Sequence, residues 1–497
     1  MRFHYMYYIL LTFVIFNVWG SKHFRLGRGR GGNLGLPGGS NVEHLPEPRW
    51  FTQKLDHSSR TNNQTWEQLY YMNDSFFDFN KPGPVFLMIG GEGPADPRWL
   101  VKGAWIEYAK KFKALCLNLE HRYYGKSHPT EDLSTKNLKY LSSVQALADL
   151  AYFISAMRAK YRLPNAVKWV AFGGSYPGSL AAWLRMKYPH LVHAAVSSSG
   201  PLLAKVDFME YYQVVLNALR EKTGGDECIT ELMIAHQQIV TLLKKYPKEI
   251  EKEFKVCQAF SNATSDDIRN FFNSIADDFA DLVQYNEDNR IGADNRFKNL
   301  TINTVCNMLT SRGSKPKPAY KKLATFNKIM LAKNNQTCMD YSYKNMIQEL
   351  RNVSWGSEGG RQWTYQTCTE FGFYQTSSRE IEVFGNLFPL DFFIKQCEDI
   401  FGKKFNKDFV KAAVSSTNTN YGGLDIEVSR VVYVHGSVDP WHALGIIKTK
   451  DNDAPAIFIK GTAHCANMYP SRDEDPSELV KARVEIEQHL DSWLELP

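Results

Sequence analysis

Beyond its N-terminal stretch, this sequence of 497 residues contains no apolar run approaching the roughly 20 residues that span a bilayer, so no stable membrane insertion is expected of the mature chain. It is poor in cysteine, with 8, and no CxxC pair or His-rich spacing occurs among them, so no metal and no other cofactor is expected. Charge of one sign is not in marked excess. A formal net charge of +6 over this length does not argue for nucleic acid as a partner. No repeat period is visible in the helical middle of the chain. The composition that remains, 43% hydrophobic, 13% aromatic and 23% charged, is ordinary for a globular protein, and the length suffices for a large core or two domains.

The N-terminus carries a different signal. Met1 and Arg2 precede an apolar run from Tyr5 to Phe16, and the small residues Gly20 and Ser21 follow, so residues 1–20 are expected to be a cleaved secretory signal peptide. Residues 21–48 are rich in Gly, Arg and Pro and cannot build a core; a flexible leader or processed pro-segment is expected there. Six Asn-x-Ser/Thr sequons, at Asn63, Asn73, Asn262, Asn299, Asn335 and Asn352, support the secretory route and are expected glycosylation sites. The same compartment lets Cys228, Cys257, Cys306, Cys338, Cys368 and Cys397 be read as disulfides, for which sequence alone leaves fifteen pairings. Cys116 reads as a buried free thiol and Cys465 as a small packed residue. The protein is expected to be secreted or lysosomal.

From Trp50 onward, short apolar runs alternate with helical stretches. Runs at 84–89, 115–119, 167–172 and 194–199 read as strands, and stretches at 145–157 and 179–186 as helices. Such alternation predicts a parallel sheet covered on both faces. From about Phe208 to Leu350 the text is charged and of helical type, and it holds four of the cysteines. Strand patterns return at 431–434 and 456–459, and a helix around 477–494 closes the chain. The expected organisation is an α/β sheet domain built from 49–205 and 351–497, with a helical cap over 206–350.

The sharpest local signal is Phe-Gly-Gly-Ser175-Tyr176-Pro177-Gly178, between a strand and a helix. A nucleophile elbow needs this context, because a sharp turn lifts the serine hydroxyl above the sheet edge. The usual motif is Gly-x-Ser-x-Gly; here Pro177 occupies the second glycine position, and glycine comes one residue later. A serine needs a base within hydrogen-bond reach and a group to orient that base. Asp439 follows the strand at 431–434 and His464 follows the strand at 456–459, in the order serine, acid, histidine. His435 and His442 compete for the base role. The N–H of Tyr176 and a donor from the glycine loop, at Gly91, are the expected oxyanion hole. That loop, Gly90-Gly91-Glu92-Gly93, matches neither nucleotide-binding glycine pattern.

Gly-Gly-Ser175-Tyr, Glu120-His-Arg-Tyr-Tyr-Gly-Lys-Ser, Trp363-Thr-Tyr-Gln-Thr-Cys-Thr-Glu-Phe, Gly436-Ser-Val-Asp-Pro-Trp and the opening Gln53-Lys-Leu-Asp-His together resemble the family of lysosomal Pro-Xaa carboxypeptidase and dipeptidyl-peptidase II. The Ser-Tyr-Pro-Gly-Ser-Leu-Ala-Ala-Trp run is most similar to its thymus-specific serine protease branch. The resemblance covers roughly residues 50–495. It implies an α/β-hydrolase fold with an inserted helical, disulfide-braced cap, and cleavage of short peptides, often after proline. It implies Ser175, Asp439 and His464 as triad, and Trp441, Trp363, Tyr365, Gln366 and Glu370 as residues lining the substrate cleft; for the last four, a packed core segment is an equal alternative. It also implies the pairs Cys228–Cys306, Cys257–Cys338 and Cys368–Cys397. One departure stands out: the family's Ser-Glu-Gln-Ala-Leu-Ala-Asp reads Ser143-Val144-Gln145 onward here, which removes a carboxylate at a helix N-terminus.

The reaction these readings predict is two-step acyl transfer on short peptides, from an exopeptidase with post-proline preference. Two rivals are a lipase or esterase on the same fold and a non-catalytic binding protein that retains it. A homodimer is left open.

Overall fold

Strands that lie buried on both faces have no polar side to show, which is why several runs here are continuously apolar instead of alternating. The structure, a computed structural model, describes residues 44–287, 299–313, 316–356, 359–377 and 383–495, together with Pro37; the expected signal peptide and most of the leader lie outside the described residues. Among the described residues the strands are β1 (Arg49–Lys54), β2 (Thr65–Asn73), β3 (Val85–Ile89), β4 (Leu115–Leu119), β5 (Trp169–Gly174), β6 (Ala194–Ser198), β7 (Lys205–Asp207), β8 (Gly372–Tyr374), β9 (Val431–Gly436) and β10 (Ala456–Ile459). Eight of them form one sheet in the order β1-β2-β4-β3-β5-β6-β9-β10. The six strands from β4 to β10 in that order pair in parallel, and β1 and β2 extend the sheet antiparallel at one edge.

Successive side chains divide between two cores, as the period of a strand requires. Leu87 and Ile89 of β3 and Leu115 and Leu117 of β4 pack with Leu150, Ile154, Leu180 and Leu184 of the helices Ser143–Lys160 and Tyr176–Lys187. Phe86, Met88, Val170 and Phe172 pack on the other side with Trp105 and Ile106 of the helix Ala104–Phe112 and with Ile486 and Leu490 of Ser477–Glu495. A mostly parallel sheet sandwiched this way, with a long helical insertion, is an α/β-hydrolase fold.

The insertion is built from the helices Glu210–Thr223, Glu227–Lys245, Pro247–Phe254, Ser265–Gln284, Ile302–Thr310, Ala319–Lys333 and Tyr343–Leu350. Thr264 and Asp267 form a reciprocal capping box at the start of Ser265–Gln284, satisfying two N–H groups the first turn would otherwise leave open. Disulfides join Cys228 to Cys306 and Cys257 to Cys338 within this region, and Cys368 to Cys397 just beyond it. Cys116 and Cys465 are free and buried. Helical structure does not stop near residue 350. The helices Gly360–Gln366, Leu390–Phe401 and Lys407–Tyr421 follow, and the large sheet resumes only at Val431. Lys205 pairs with Gly372 and Asp207 with Tyr374, so the segment between β7 and β8 starts and finishes at adjacent points.

Candidate active site

Ser175 follows β5 and caps the helix Tyr176–Lys187 with φ 65° and ψ −134°, a conformation L-residues avoid. The strain is held by hydrogen bonds on both sides: Ser175 N–H donates to the Ser198 carbonyl at 2.9 Å, and Gly178 N–H donates to the Ser175 carbonyl at 2.8 Å. The geometry accounts for proline in the motif. The closest approach between the new helix and β6 falls on Gly178, where a Cβ would lie 2.6 Å from the Ser198 carbonyl oxygen. Position 177 is free to carry a ring, which packs over Gly91 so tightly that a Cβ there would lie 2.5 Å from the Pro177 Cγ. Glycine-loop and elbow are thus in direct contact.

The turns after β9 and β10 bring Asp439 and His464 together. The His464 Nδ1–H donates to Asp439 Oδ1 at 2.8 Å, and both side chains are fully buried. Burial alone pushes the His464 pKa down, but the Asp439 carboxylate overrides it and holds the imidazolium well above the usual range. Burial likewise favours the neutral acid at Asp439, and His464 overrides that, holding the carboxylate below its usual range. The β6 end ties this pair to the elbow. The Ser198 carbonyl that receives Ser175 N–H also accepts the Cys465 thiol at 3.7 Å, and Ser199 Oγ accepts the Cys465 N–H at 2.9 Å. His435 and His442, the rivals for the base, lie near Asp439, and the main-chain N–H of His442 donates to the Asp439 carbonyl at 3.2 Å. Neither ring nitrogen of buried His435 has a hydrogen-bond partner among the described residues, and burial pushes its pKa down to about 4. His442 stands edge-on to Phe458.

The Tyr176 N–H, at the first position of its helix, has no intrahelical acceptor. Its side chain is fixed from two sides. His121 donates Nδ1–H to the Arg122 carbonyl at 2.7 Å, which leaves Nε2 to accept the Tyr176 hydroxyl at 3.1 Å. Gln366 Nε2 donates to the same hydroxyl at 3.2 Å and to Glu370 Oε2 at 3.1 Å. Glu370 Oε1 then accepts both the N–H (2.8 Å) and the hydroxyl (2.6 Å) of Ser143. The helix Ser143–Lys160 therefore receives at its N-terminus a carboxylate from Glu370, and Val144, where the resemblance leads one to expect glutamate, is left 49% exposed. On the glycine-loop side, Glu120 accepts from Ala95 N, Lys126 N and Ser127 Oγ at 2.7–2.8 Å, pinning the far end of that loop. Glu92, in the loop itself, is 2% exposed, and burial pushes its carboxyl up to about 8 against a weaker opposing pull from His464.

Of the cleft residues expected from sequence, Trp441 lies beside the acid. Its N–H donates to Asp439 Oδ1 at 3.0 Å, and its ring meets Phe208, Tyr211 and Phe373 at centroid distances of 5.3–5.7 Å. Trp363 packs on Tyr176 at 5.7 Å. Gln366 and Glu370 are buried in the network just described, and Tyr365 packs against Phe401 and Phe405 within the helical part. Sequence reasoning missed His121, Ser143, Ser199 and Gln284. His121 and Ser143 sit in stretches already singled out, but no role followed for either; Ser199 and Gln284 carry no motif.

A strained serine after a parallel strand, with an Asp–His pair on later turns of the same sheet, is the arrangement of a serine hydrolase. Comparison with known proteins narrows the class to a serine peptidase. Residues 53–486 match the model of the serine carboxypeptidase S28 family, and the chain belongs to that family. A Caenorhabditis elegans protein that bears serine protease in its name is 38% identical over 94% of this chain and 93% of its own. The mouse (Mus musculus) thymus-specific serine protease is 35% identical over 90% of this chain and 88% of its own, and human (Homo sapiens) lysosomal Pro-X carboxypeptidase is 27% identical over 93% and 92%.

Proposed function

We propose that the protein is a serine exopeptidase that hydrolyses short peptides, with a preference for proline before the scissile bond, through Ser175, Asp439 and His464. The contact of Asp439 with His464 Nδ1 at 2.8 Å carries this reading, because it fixes the tautomer that leaves Nε2 able to take a proton. Ser175 attacks the peptide carbonyl as His464 removes its proton. The oxyanion is received by the N–H groups of Tyr176 and of Gly91 in the glycine loop. His464 gives the proton to the leaving amine, then activates the water that releases the acyl group, while Asp439 stabilises the imidazolium in both steps.

The aromatic group of Trp441, Phe208, Tyr211 and Phe373 supports a flat, apolar subsite that suits a pyrrolidine ring. The helices between β6 and β9 act as a cap that admits chain ends and excludes folded proteins. Carboxypeptidase stands in the names of the family and of the Pro-X relative. Passage through the secretory pathway, ending outside the cell or in the lysosome, accords with three disulfides, and no helix among the described residues is long and apolar enough to cross a membrane.

The test is fluorophosphonate labelling followed by a peptide panel. Wild type is expected to label and Ser175→Ala to remain unlabelled; equal labelling of the two sinks the triad. Peptides with proline at successive positions and with free or blocked ends are expected to be cut near one free end after proline. Turnover of esters without turnover of any peptide would replace the peptidase reading by the esterase one.

A further inference from the structure

Gln284 is the last residue of the helix Ser265–Gln284, far in sequence from every motif of the site. Its carbonyl accepts the main-chain N–H of His464 at 3.0 Å. Its side-chain Oε1 accepts two further bonds, from Trp441 Nε1 at 3.0 Å and from the Tyr211 hydroxyl at 2.7 Å. Its Nε2 donates to the Tyr285 hydroxyl at 2.9 Å, and the Tyr285 ring stands edge-on to the His464 imidazole, with centroids 6.2 Å apart. Trp441 in turn bonds Asp439 through its own N–H. One residue of the inserted helices therefore grips the turn that carries the acid and the turn that carries the base.

The Asp439–His464 bond fixes one imidazole nitrogen. It does not fix the direction of the other, because the pair can swing together on two turns that lie at the end of neighbouring strands. A tie to a third body removes that freedom. We propose that Gln284 is a positioning residue, which locks the turns of Asp439 and His464 to the inserted helices and so aims the base at Ser175. The proposal rests on the reading of Ser175, Asp439 and His464 as the triad. It gives the helical region a part in the chemistry beyond selecting substrates by size: the base is aligned only when those helices are seated.

A small alkyl fluorophosphonate tests this in the full chain, since it needs the serine and the base but none of the peptide-binding surface. The fraction labelled at completion is separated from the second-order rate constant of the fraction that labels. Gln284→Leu keeps the main-chain bond and removes both acceptor bonds, and its rate constant is expected to fall about tenfold, the scale of a small misalignment of reacting groups. Gln284→Glu retains an acceptor for Trp441 and Tyr211 and is expected to recover to within about threefold of wild type, as positioning by these bonds requires. A wild-type rate constant in Gln284→Leu, with only the labelled fraction reduced, overturns the proposal and leaves Gln284 a packing residue. If the leucine variant does not fold, Tyr211→Phe takes its place: it removes one of the two side-chain acceptor bonds, and an unchanged rate constant again overturns the proposal. Silence of wild type and variants alike overturns the triad, and the role of Gln284 with it, and is told apart from the first failure because there wild type still labels.

Discussion

Asp439 and His464 share a single hydrogen bond between two fully buried side chains, so small changes in either have large effects. Asp439→Asn keeps the shape but reverses the hydrogen-bonding preference toward Nδ1, and kcat is expected to fall on the order of 10⁴-fold with little change in KM, as steady-state kinetics on a turned-over peptide would read. Gly178→Ala places a methyl within 2.6 Å of the Ser198 carbonyl oxygen, which is strand backbone and does not yield. Loss of fluorophosphonate labelling at unchanged secretion is the expected outcome. Ser175, Asp439 and His464 were legible in the sequence as candidates because each follows a strand in the order a triad would require. The meaning of Pro177 was not, because it depends on Gly91, 86 positions away, lying beneath the proline ring. Gln284 was equally illegible. A glutamine at a helix end has no signature until the fold sets it between two turns.

At the scale of elements, the parallel strands β3, β4, β5, β6, β9 and β10 were read from their apolar runs because both faces of the sheet are covered, whereas β1, β2, β7 and β8 were not read. Charge and periodicity pointed to helices between about 208 and 350, and helices are also formed by the segments 390–401 and 407–421, which carry the same period. The helix Ser143–Lys160 shows how an element can be completed from elsewhere in the chain. Glu370→Ala is expected to cost about 2–3 kcal/mol in urea unfolding, because the Ser143 N–H and the Gln366 amide lose a buried acceptor. Within the insertion, Cys228 and Cys306 close a loop with a sequence separation of 78. Replacing both by serine is expected to cost about 4 kcal/mol, measured the same way. Spacing left the pairing open because contact between the helices Glu227–Lys245 and Ile302–Thr310 is a property of their packing. The sequons divide similarly. Asn63, Asn262, Asn299, Asn335 and Asn352 are exposed, whereas the Asn73 amide donates to the Leu100 carbonyl at 2.7 Å. Glycopeptide mapping of secreted protein is expected to find glycan at the first five and none at Asn73.

For the whole molecule, two sets of buried groups set the response to pH. Burial pushes Glu92 up to about 8 and Glu120 up to about 7, so the folded state binds these protons more tightly than the unfolded chain does. Their contribution is full below their ordinary 4.5 and is lost as pH rises through about 7 to 8, and the raised His464 acts in the same sense. Burial holds His121, His236 and His435 down at about 4, so they stay neutral when folded, and stability falls as pH drops from 6.5 through about 4. The two trends cross between these limits. The thermal midpoint is expected to be highest between about pH 5 and 6, and Glu92→Gln, by removing one group of the first kind, is expected to move that maximum upward. A midpoint that rises steadily to pH 8 would contradict this assignment.

The short parallel pair of β7 and β8 has a consequence for how such a molecule diversifies. The block between them begins and ends at strands bonded to each other, so the distance between its two ends does not depend on what lies between them. Segments of the block that make no contact with the main sheet's turns can lengthen or shorten at little cost, since the entropy of closing a loop rises only slowly with its length. A chimera joined at these two strands would therefore replace Gln284, Gln366 and Glu370 together, and it keeps the turns of Asp439 and His464 in register only if the incoming block supplies the same ties.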